Sequence, residues 1–283
     1  MQFTKMHGCG NDYIFLDCLN RPLPDEPAQL ATRISDRHKG VGSDGLILIA
    51  PSERANARML MWNADGSRGE MCGNGIRCVA KFLFEHGDLH EEEISIESDR
   101  GVHSLRLLIE EGQVEKVRVN MGEPFLKAAK IPTTLPGDPP LDVELELGES
   151  LNDFPSTIKV TCISMGNPHC IVFTNRITDE MVLGWGPTIE NHAAFPQRTN
   201  VEFVRVISPH EIAMRVWERG SGETQACGTG ACATTVAAAI SKRTERNVKC
   251  HLLGGSLDIA WSDSNEVYMT GPAVEVFTGE WQE

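Results

Sequence analysis

The chain lacks several features that mark common classes of protein. No apolar run approaches the roughly 20 residues that a membrane helix needs. The N-terminal segment shows neither a signal-peptide core nor an arginine-rich transit pattern. Its nine cysteines are odd in number and include no Cys-x-x-Cys pair, which disfavours both a disulfide framework and a zinc finger. We therefore expect a cytoplasmic protein with no membrane association and no bound metal.

Signatures of nucleic-acid and nucleotide binding are also missing. The net charge is −14, and no cluster of Lys and Arg stands out, whereas binding to phosphates needs concentrated basic side chains. There is no Walker-type phosphate loop, and the glycine-rich stretch 40–45 does not follow a predicted strand, so we interpret it as a turn. We therefore expect no nucleic-acid partner. The excess of acidic residues neither supports nor excludes a small zwitterionic ligand.

What the chain does contain is an internal repeat. Residues 62–75 and 217–230 align without a gap, so that a Trp, a Cys and two following glycines coincide at a spacing of 155 residues. Residues 10–11 and 44–48 match 166–167 and 200–204 at a spacing of 156. Chance similarity of glycine-rich turns is the alternative, but three blocks keep one order and nearly one register. The repeat predicts two pseudo-symmetric halves, with a single ligand cleft where they meet.

The hydrophobic periodicity predicts an α+β fold. We expect helices at 28–38, 73–85 and 228–242, the last two directly after the repeated cysteines. Strands are expected at 44–50, 58–62, 93–98, 101–109, 113–121, 158–164, 169–174, 201–207, 211–217, 248–253, 256–261 and 266–270. In each half a mixed or antiparallel sheet would wrap around one central helix.

The expected domain boundaries follow from this pattern. The N-terminal half would span 1–120 and the C-terminal half 121–271, with 272–283 packing back on the N-terminal half. A stretch rich in proline and acidic residues, 122–157, is predicted to connect them.

The repeated cysteines, Cys72 and Cys227, each stand at the start of a predicted helix. Unpaired N–H groups and the positive end of the helix dipole favour a thiolate there, so we expect a lowered thiol pKa. The Gly-Asn-Gly and Gly-Thr-Gly segments that follow allow close approach of a carboxylate to the backbone. Two such turns at one carbon would suit stereoinversion, in which one thiolate removes a proton and the other thiol supplies one, without a metal or an electron-sink cofactor. The alternative is a pair of buried structural thiols.

Five blocks of sequence, taken together, resemble diaminopimelate epimerase. They are residues 6–13, 72–78, 166–170, 218–220 and 227–232, and similar blocks at 120–124 and 268–273 extend the resemblance over essentially the whole chain. The resemblance implies a cofactor-independent epimerase that interconverts LL- and meso-diaminopimelate in lysine and peptidoglycan biosynthesis. It also implies a two-domain pseudo-symmetric fold and a homodimer.

Matched residue by residue, the same resemblance assigns roles. Cys72 and Cys227 correspond to the acid and base pair. Backbone donors for the α-carboxylate would come from Gly73, Asn74, Gly228 and Thr229. The polar ends of the substrate would contact Asn11, Asn63, Asn167, Asn200, Glu218 and Arg219. Arg219 suits the distal carboxylate because guanidinium binds carboxylates through two parallel hydrogen bonds. His169 and Glu218 are expected to tune the thiol pKa values.

Three positions depart from the family pattern. Cys9 stands where an apolar residue is more usual, Tyr13 replaces the more usual Phe, and Gly45 stands where some members carry Gln. We hypothesise that Cys9 is a third thiol near the site, which labelling of a Cys9→Ala variant would test.

The sequence alone leaves other functions open. Proline or hydroxyproline racemase is the nearest rival, but that family typically has Met-Cys-Gly-His at the first cysteine, where this chain has Asn74. The related phenazine-biosynthesis isomerases lack the cysteine pair. From another class, the chain could be a redox switch or binding protein whose two motif cysteines form a disulfide. Turnover under reducing conditions separates an epimerase from a binding protein.

Overall fold

The computed structural model of the chain describes residues 1–148 and 156–282. The chain forms two compact units. Unit 1 contains Met1–Asn120 and Thr270–Glu283, and unit 2 contains Met121–Met269. The connection predicted at 122–157 falls in part on 149–155, which lie outside the described residues.

Unit 1 is built on a mixed sheet with two helices. Its elements are β1 (Gln2–Gly8), β2 (Asn11–Asp17), α1 (Pro27–Ser35), β3 (Gly45–Ala50), β4 (Ala57–Asn63), β5 (Arg68–Gly69), α2 (Gly73–Glu85), β6 (Glu93–Ser98), β7 (Gly101–Glu110), β8 (Gln113–Asn120) and the C-terminal strand β18 (Val274–Glu280). β1 pairs antiparallel with both β18 and β2, β2 pairs parallel with β3, and β3 pairs antiparallel with β4. β4 pairs parallel with β6, and β6 to β8 form an antiparallel run. The helix α2 packs against β1, β2, β6, β7 and β8, so it is the central helix of this unit.

Unit 2 repeats this plan. Its elements are a 3-10 turn (Ala128–Lys130), β9 (Val143–Glu146), β10 (Thr157–Ser164), β11 (Pro168–Phe173), a π-helix (Glu180–Trp185) that continues into α3 (Gly186–Glu190), β12 (Asn200–Ser208), β13 (Glu211–Glu218), β14 (Gly222–Glu223), α4 (Gly228–Ile240), β15 (Asn247–Leu252), β16 (Gly255–Trp261) and the first part of β17 (Val267–Pro272), whose last three residues belong to unit 1. β10 and β11 are antiparallel, β11 and β12 parallel, and β12 and β13 antiparallel. β13 pairs parallel with β15, which pairs antiparallel with β16. The helix α4 packs against β10, β11, β12, β15 and β16.

The antiparallel and parallel strand pairings thus follow the same order in both units, and each sheet surrounds one helix. This confirms the predicted α+β class with two pseudo-symmetric halves. The helix predicted at 73–85 has those bounds, whereas the helix predicted to reach 242 ends at Ile240. The helix predicted over 28–38 ends at Ser35, since Asp36 leaves the helical region and its side chain accepts from the backbone of the next turn.

The hairpin formed by β1 and β2 was not predicted. Its strands are buried on both faces, so the polar residues inside them hide the alternation that marks a half-buried strand. Lys5 is only 7% exposed, and its ammonium group pairs with Asp12 and with the carbonyl of Gly42. A buried lysine needs such partners, and they come from other segments of the chain. The strands β9 and β18 and the helical segment 180–190 were also missed.

The central helix α4 is buried on almost every side. It contains only small or medium side chains, and Ala231, Cys232, Ala233 and Val236 are fully buried. Small side chains let the surrounding strands approach the helix axis closely, which explains its alanine-rich sequence. No helix in the described part of the chain is long and apolar enough to cross a bilayer.

Candidate functional site

Both repeated cysteines are N-cap residues of the central helices. Cys72 has extended backbone angles, and its Sγ accepts a hydrogen bond from the N–H of Gly75 at 3.3 Å. Cys227 repeats this geometry with the N–H of Gly230 at 3.4 Å. The sulfur therefore takes the place of the side-chain oxygen that usually caps a helix. Helix geometry leaves the first N–H groups, at 73–74 and 228–229, without intrahelical acceptors at the positive end of the dipole, where a carboxylate can bind.

Around Cys72, the side chain of Asn11 joins the thiol to the helix. Asn11 Oδ1 accepts from Cys72 Sγ at 3.4 Å and from Asn74 Nδ2 at 3.3 Å. Asn11 Nδ2 donates to Asp44 Oδ2 at 2.7 Å, so the orientation of the amide is set by a carboxylate on one side and a thiol on the other. Within unit 1 the structure therefore brings together four of the predicted site residues: Asn11, Cys72, Gly73 and Asn74.

Arg77 forms hydrogen bonds with the first turn of α2. It was not among the site residues predicted from the sequence. The side chain is fully buried, and it donates to Gly73 O at 2.9 Å, to Asn74 Oδ1 at 2.9 Å and to Pro272 O at 3.1 Å. A Cβ atom on Gly8 would stand 2.7 Å from Arg77 Nη2, so glycine there leaves room for the guanidinium. The available signal was a charged residue one turn after the start of a helix predicted to be central.

Around Cys227, a chain of polar groups runs back from the thiol into the sheet. Thr229 Oγ1 lies 3.5 Å from Cys227 Sγ and accepts from Asn167 Nδ2 at 3.2 Å. Asn167 Oδ1 lies 3.2 Å from His169 Nε2, and His169 Nδ1 lies 2.6 Å from Glu202 Oε1. The predicted residues Asn167, His169, Cys227 and Thr229 are thus in one hydrogen-bonded network within unit 2.

Glu202 is the second functional candidate that sequence reasoning missed. Both Glu202 and His169 are fully buried, and Oε2 of Glu202 has no hydrogen-bond partner among the described residues. A Cβ atom on Gly230 would lie 2.7 Å from Glu202 Oε1, so the helix start can approach this carboxylate only because the residue is glycine. The signal in the sequence was a glutamate between two apolar residues, Val201 and Phe203, in the strand predicted at 201–207.

The electrostatic environment of Cys227 is the reverse of the one expected. Burial raises the pKa of the Cys227 thiol well above the ordinary value, and the carboxylates of Glu218 and Glu202 raise it further. Hydrogen bonds from Thr229 and from the backbone of Gly230 lower the pKa but do not outweigh burial. The expectation of a lowered pKa is therefore wrong for Cys227.

Glu218, which the sequence assigned to pKa tuning, also lies in this network. Burial raises the pKa of its carboxyl, while Thr224 and His169 lower it. Thr224 Oγ1 donates to Glu218 Oε1 at 2.5 Å. A buried carboxyl with a raised pKa beside a thiol is a group that can influence the proton affinity of that thiol.

The remaining predicted residues lie at strand ends or in the turns that follow strands. Asn63 Nδ2 donates to the hydroxyl of Ser67 at 2.9 Å in the turn that follows β4. Asn200 Nδ2 donates to a backbone carbonyl of β11, and its Oδ1 accepts from the backbone N–H of Arg219 at 3.0 Å. Arg219 Nη1 donates to the carbonyl of Gln197, and within the described ranges its guanidinium forms no salt bridge. That group can therefore receive a ligand carboxylate without breaking an ion pair.

Cys9 is not placed for reaction with a ligand. It is 1% exposed, its Sγ lies 4.0 Å from Arg77 Nη2, and burial raises its pKa. Among the residues that the structure describes, no three His, Cys, Asp or Glu side chains are grouped as a metal site.

Comparison with known proteins gives one consistent family. The family model described as diaminopimelate epimerase matches residues 3–127 and 161–276. A diaminopimelate epimerase of Agathobacter rectalis is 49% identical over 282 residues, covering 99% of both chains. One of Pelotomaculum thermopropionicum is 50% identical over 282 residues, again with 99% of each chain covered.

Two solved structures with the same fold are much more distant in sequence. A probable proline racemase from Agrobacterium radiobacter K84 has a TM-score of 0.69 at 15% identity, covering 99% of this chain and 92% of that one. A putative phenazine biosynthesis PhzC/PhzF protein from Clostridium difficile has a TM-score of 0.70 at 13% identity and full coverage of both chains. At these identities the likeness establishes the fold alone.

Proposed function

The chain belongs to the diaminopimelate epimerase family of isomerases, and we propose that it interconverts LL- and meso-diaminopimelate with two cysteines and no cofactor. The observation that carries this proposal is the repeated N-cap cysteine. Each thiol stands beside a pair of helix N–H groups that can hold a carboxylate, so each turn offers a proton-transfer group and an anion site together.

In the proposed reaction, one cysteine thiolate takes the α-proton of the substrate and becomes a thiol. Negative charge grows on the α-carbon and its carboxylate, where the N–H groups of Gly73, Asn74, Gly228 and Thr229 stabilise it. The other cysteine thiol then gives its proton to the opposite face of the carbon and is left as a thiolate. The reaction requires both sulfurs to reach the same α-carbon.

Burial and two carboxylates raise the pKa of Cys227, which supports a protonated thiol as its starting state. In our proposal Cys72 is then the group that first acts as the base. In the reverse direction the roles exchange. Glu218 and His169 tune the proton affinity of Cys227 through the buried network that contains them.

The other polar side chains recognise the ends of the substrate. We assign this role to Asn11, Asn63, Asn167, Asn200, Glu218 and Arg219. Amide side chains offer both a donor and an acceptor, which suits a ligand with two ammonium and two carboxylate groups. Arg219 has no protein carboxylate against it among the described residues and takes the distal carboxylate.

We also propose that the protein is a cytoplasmic homodimer. Support for self-association comes from β18, where Val274, Val276 and Phe277 are exposed at 39%, 54% and 46%. Apolar side chains grouped on one strand favour a protein contact over solvent. Sedimentation of the wild type should give a dimer, and Phe277→Glu should shift the distribution toward the monomer. A wild type that sediments as a monomer at micromolar concentration contradicts this assignment.

The test of the activity is proton NMR of LL-diaminopimelate with reduced protein in deuterated water. Loss of the α-proton signal together with formation of the meso isomer establishes substrate and chemistry at once. Reaction of proline or hydroxyproline, with none of diaminopimelate, moves the assignment to the rival racemases. No exchange with any of these substrates refutes the proposed function and leaves the fold unaffected.

A further inference from the structure

In unit 2 a chain of side chains connects a buried carboxylate to the motif thiol. It begins at Glu202, whose Oε1 lies 2.6 Å from Nδ1 of His169, and both side chains are fully buried. His169 Nε2 lies 3.2 Å from Asn167 Oδ1. Asn167 Nδ2 donates to Thr229 Oγ1 at 3.2 Å, and that oxygen lies 3.5 Å from the sulfur of Cys227. The chain therefore reaches from Glu202 to Cys227 without a gap.

Each link has a donor and an acceptor, so the chain has a direction. An ionised carboxylate only accepts, so the proton between Glu202 and His169 lies on Nδ1. The Asn167 amide directs Nδ2 to Thr229, so its Oδ1, which only accepts, faces Nε2 of the imidazole. Thr229 Oγ1 accepts from that amide, which leaves the hydroxyl proton for the sulfur. From the imidazole onward, every link donates towards Cys227.

The carboxylate also lies beside the start of the helix α4. His169 stands directly opposite Asn200 in the parallel pair of β11 and β12, so Glu202 lies on the same face of the sheet as the imidazole. A Cβ atom on Gly230 would lie 2.7 Å from Glu202 Oε1. Oε2 has no hydrogen-bond partner among the described residues. A carboxylate buried in this way needs a partner for its charge, and His169 is the group that supplies it.

We propose that Glu202 is a positioning residue for epimerisation, which fixes the direction of this chain so that the Thr229 hydroxyl donates to the thiolate of Cys227. The inference rests on the proposed function of Cys227 as one of the two proton-transfer groups. Both ring nitrogens of His169 then donate, and the imidazolium and the carboxylate neutralise each other within the buried pair. No proton passes along the chain, and only Cys227 exchanges one with the substrate.

The hydrogen bond from Thr229 matters at one stage of the reaction. Burial and the carboxylates of Glu218 and Glu202 raise the pKa of Cys227, so its surroundings disfavour a thiolate. Once Cys227 has given its proton to the α-carbon, the sulfur is a thiolate in these surroundings. The Thr229 hydroxyl at 3.5 Å and the N–H of Gly230 at 3.4 Å are the donors that stabilise it. A chain of the opposite direction would remove the first of them.

The experiment is a double-mutant cycle with Glu202→Gln and Thr229→Val. Glu202→Gln replaces a group that only accepts by an amide that either accepts or donates, so the direction of the chain is no longer fixed. Thr229→Val removes the last donor without changing charge and with nearly the same shape. Thr229→Ser keeps the hydroxyl and is the matched control. Glu218 and the N–H of Gly230 are unchanged in all of these variants.

The first readout is the pH at which alkylation of Cys227 reaches half its maximal rate, resolved from Cys72 by mass spectrometry. Thr229→Val should raise this pH by about one unit, because the thiolate loses a hydrogen bond. Thr229→Ser should match the wild type, and Cys72 should keep its profile in every variant.

Glu202→Gln has two opposed effects on the same pH. Loss of the direction of the chain raises it, and loss of a nearby negative charge lowers it. In the Thr229→Val background only the charge effect remains. Glu202→Gln should therefore shift the pH downward by about one unit more in that background than in the presence of Thr229.

The second readout is turnover. In Glu202→Gln and in Thr229→Val, kcat should fall about tenfold while KM changes less than about twofold. The double variant should lose no more kcat than the more affected single variant, because both changes remove the same hydrogen bond.

A third readout uses the wild type alone. The ¹⁵N shifts of the His169 ring, identified by comparison with His169→Gln, should show a proton on both nitrogens at neutral pH. This measurement decides the direction of the chain even if Glu202→Gln does not fold, since a ring whose Nε2 carries no proton reverses the chain and overturns the inference.

The other outcomes are distinguishable. An equal shift of the Cys227 profile on Glu202→Gln in both backgrounds overturns the inference, because Glu202 then acts on the sulfur through its charge alone. A Thr229→Val profile that superimposes on the wild type also overturns it. If the wild type fails to turn over diaminopimelate, the proposed function fails, and the alkylation cycle still decides whether Glu202 acts on Cys227 through Thr229.

Discussion

Replacement of Glu202 tests the buried network behind Cys227 most directly. Glu202 and His169 are both fully buried, 2.6 Å apart, and the second carboxylate oxygen has no partner among the described residues. Glu202→Gln keeps an acceptor oxygen but removes the charge, so it loses only the charge-assisted part of the hydrogen bond, about 1–1.5 kcal/mol. Glu202→Leu removes the acceptor and leaves His169 Nδ1 buried without one, at a cost of about 3–5 kcal/mol.

Thermal unfolding measures these differences. For a unit of this size a change of 1 kcal/mol shifts Tm by about 2–4 °C, so Glu202→Gln should lower Tm by roughly 2–6 °C and Glu202→Leu by more. The double variant Glu202→Leu, His169→Leu should be less destabilised than Glu202→Leu alone, since neither polar group is then left unpaired. Glu97→Gln is the control, because its partner Arg54 is 63% exposed, and it should give a much smaller shift.

The reasoning would be refuted by a Glu202→Gln variant with a wild-type Tm. It would also be refuted if Glu202→Leu were as stable as Glu202→Gln, because the ranking follows from the unsatisfied imidazole. A double variant whose Tm loss equals the sum of the two single losses would show that the two residues do not act as a pair.

Three further predictions concern the two helix starts. Cys72→Ala and Cys227→Ala should each abolish epimerisation in the NMR assay, and near-normal turnover by either would exclude the two-base mechanism. Alkylation of Cys227 should reach half its maximal rate at a higher pH than an ordinary thiol, because only the thiolate reacts and the Cys227 pKa is raised. Glu218→Gln should lower that pH, because it removes a negative charge near the sulfur. An unchanged alkylation profile in this variant would contradict the role of Glu218. Arg77→Met should cost about 2–5 kcal/mol by leaving Gly73 O and the Asn74 side chain without their donor, and a wild-type Tm would show that other groups hold this turn.

The sequence was sufficient for features that depend on local pattern. The helix from Gly73 to Glu85 follows from apolar spacing over one segment, and the pseudo-symmetric halves follow from the repeat of a Trp, a Cys and two glycines. The N-cap position of Cys72 and Cys227 is also local, since it needs only the start of a helix. Family membership, visible in the same motifs, is confirmed by the comparisons.

Other features depended on residues far apart in the chain. The buried strand β1 contains Lys5, which can be buried only because Asp12 and the carbonyl of Gly42 come to it. The pairing of His169 with Glu202 joins side chains 33 residues apart on neighbouring strands, and neither residue alone signals the pair.

The direction of the Cys227 pKa shift also depended on residues far apart in the chain. The helix start by itself favours the thiolate, and this effect can be read from the sequence. Burial of the sulfur and the approach of Glu218 and Glu202 favour the thiol, and both arise only when the strands pack around the helix. The sequence alone therefore determined which two thiols to examine, whereas tertiary structure decided the proton affinity of Cys227, because desolvation and buried charge outweigh the dipole of the helix to which it belongs.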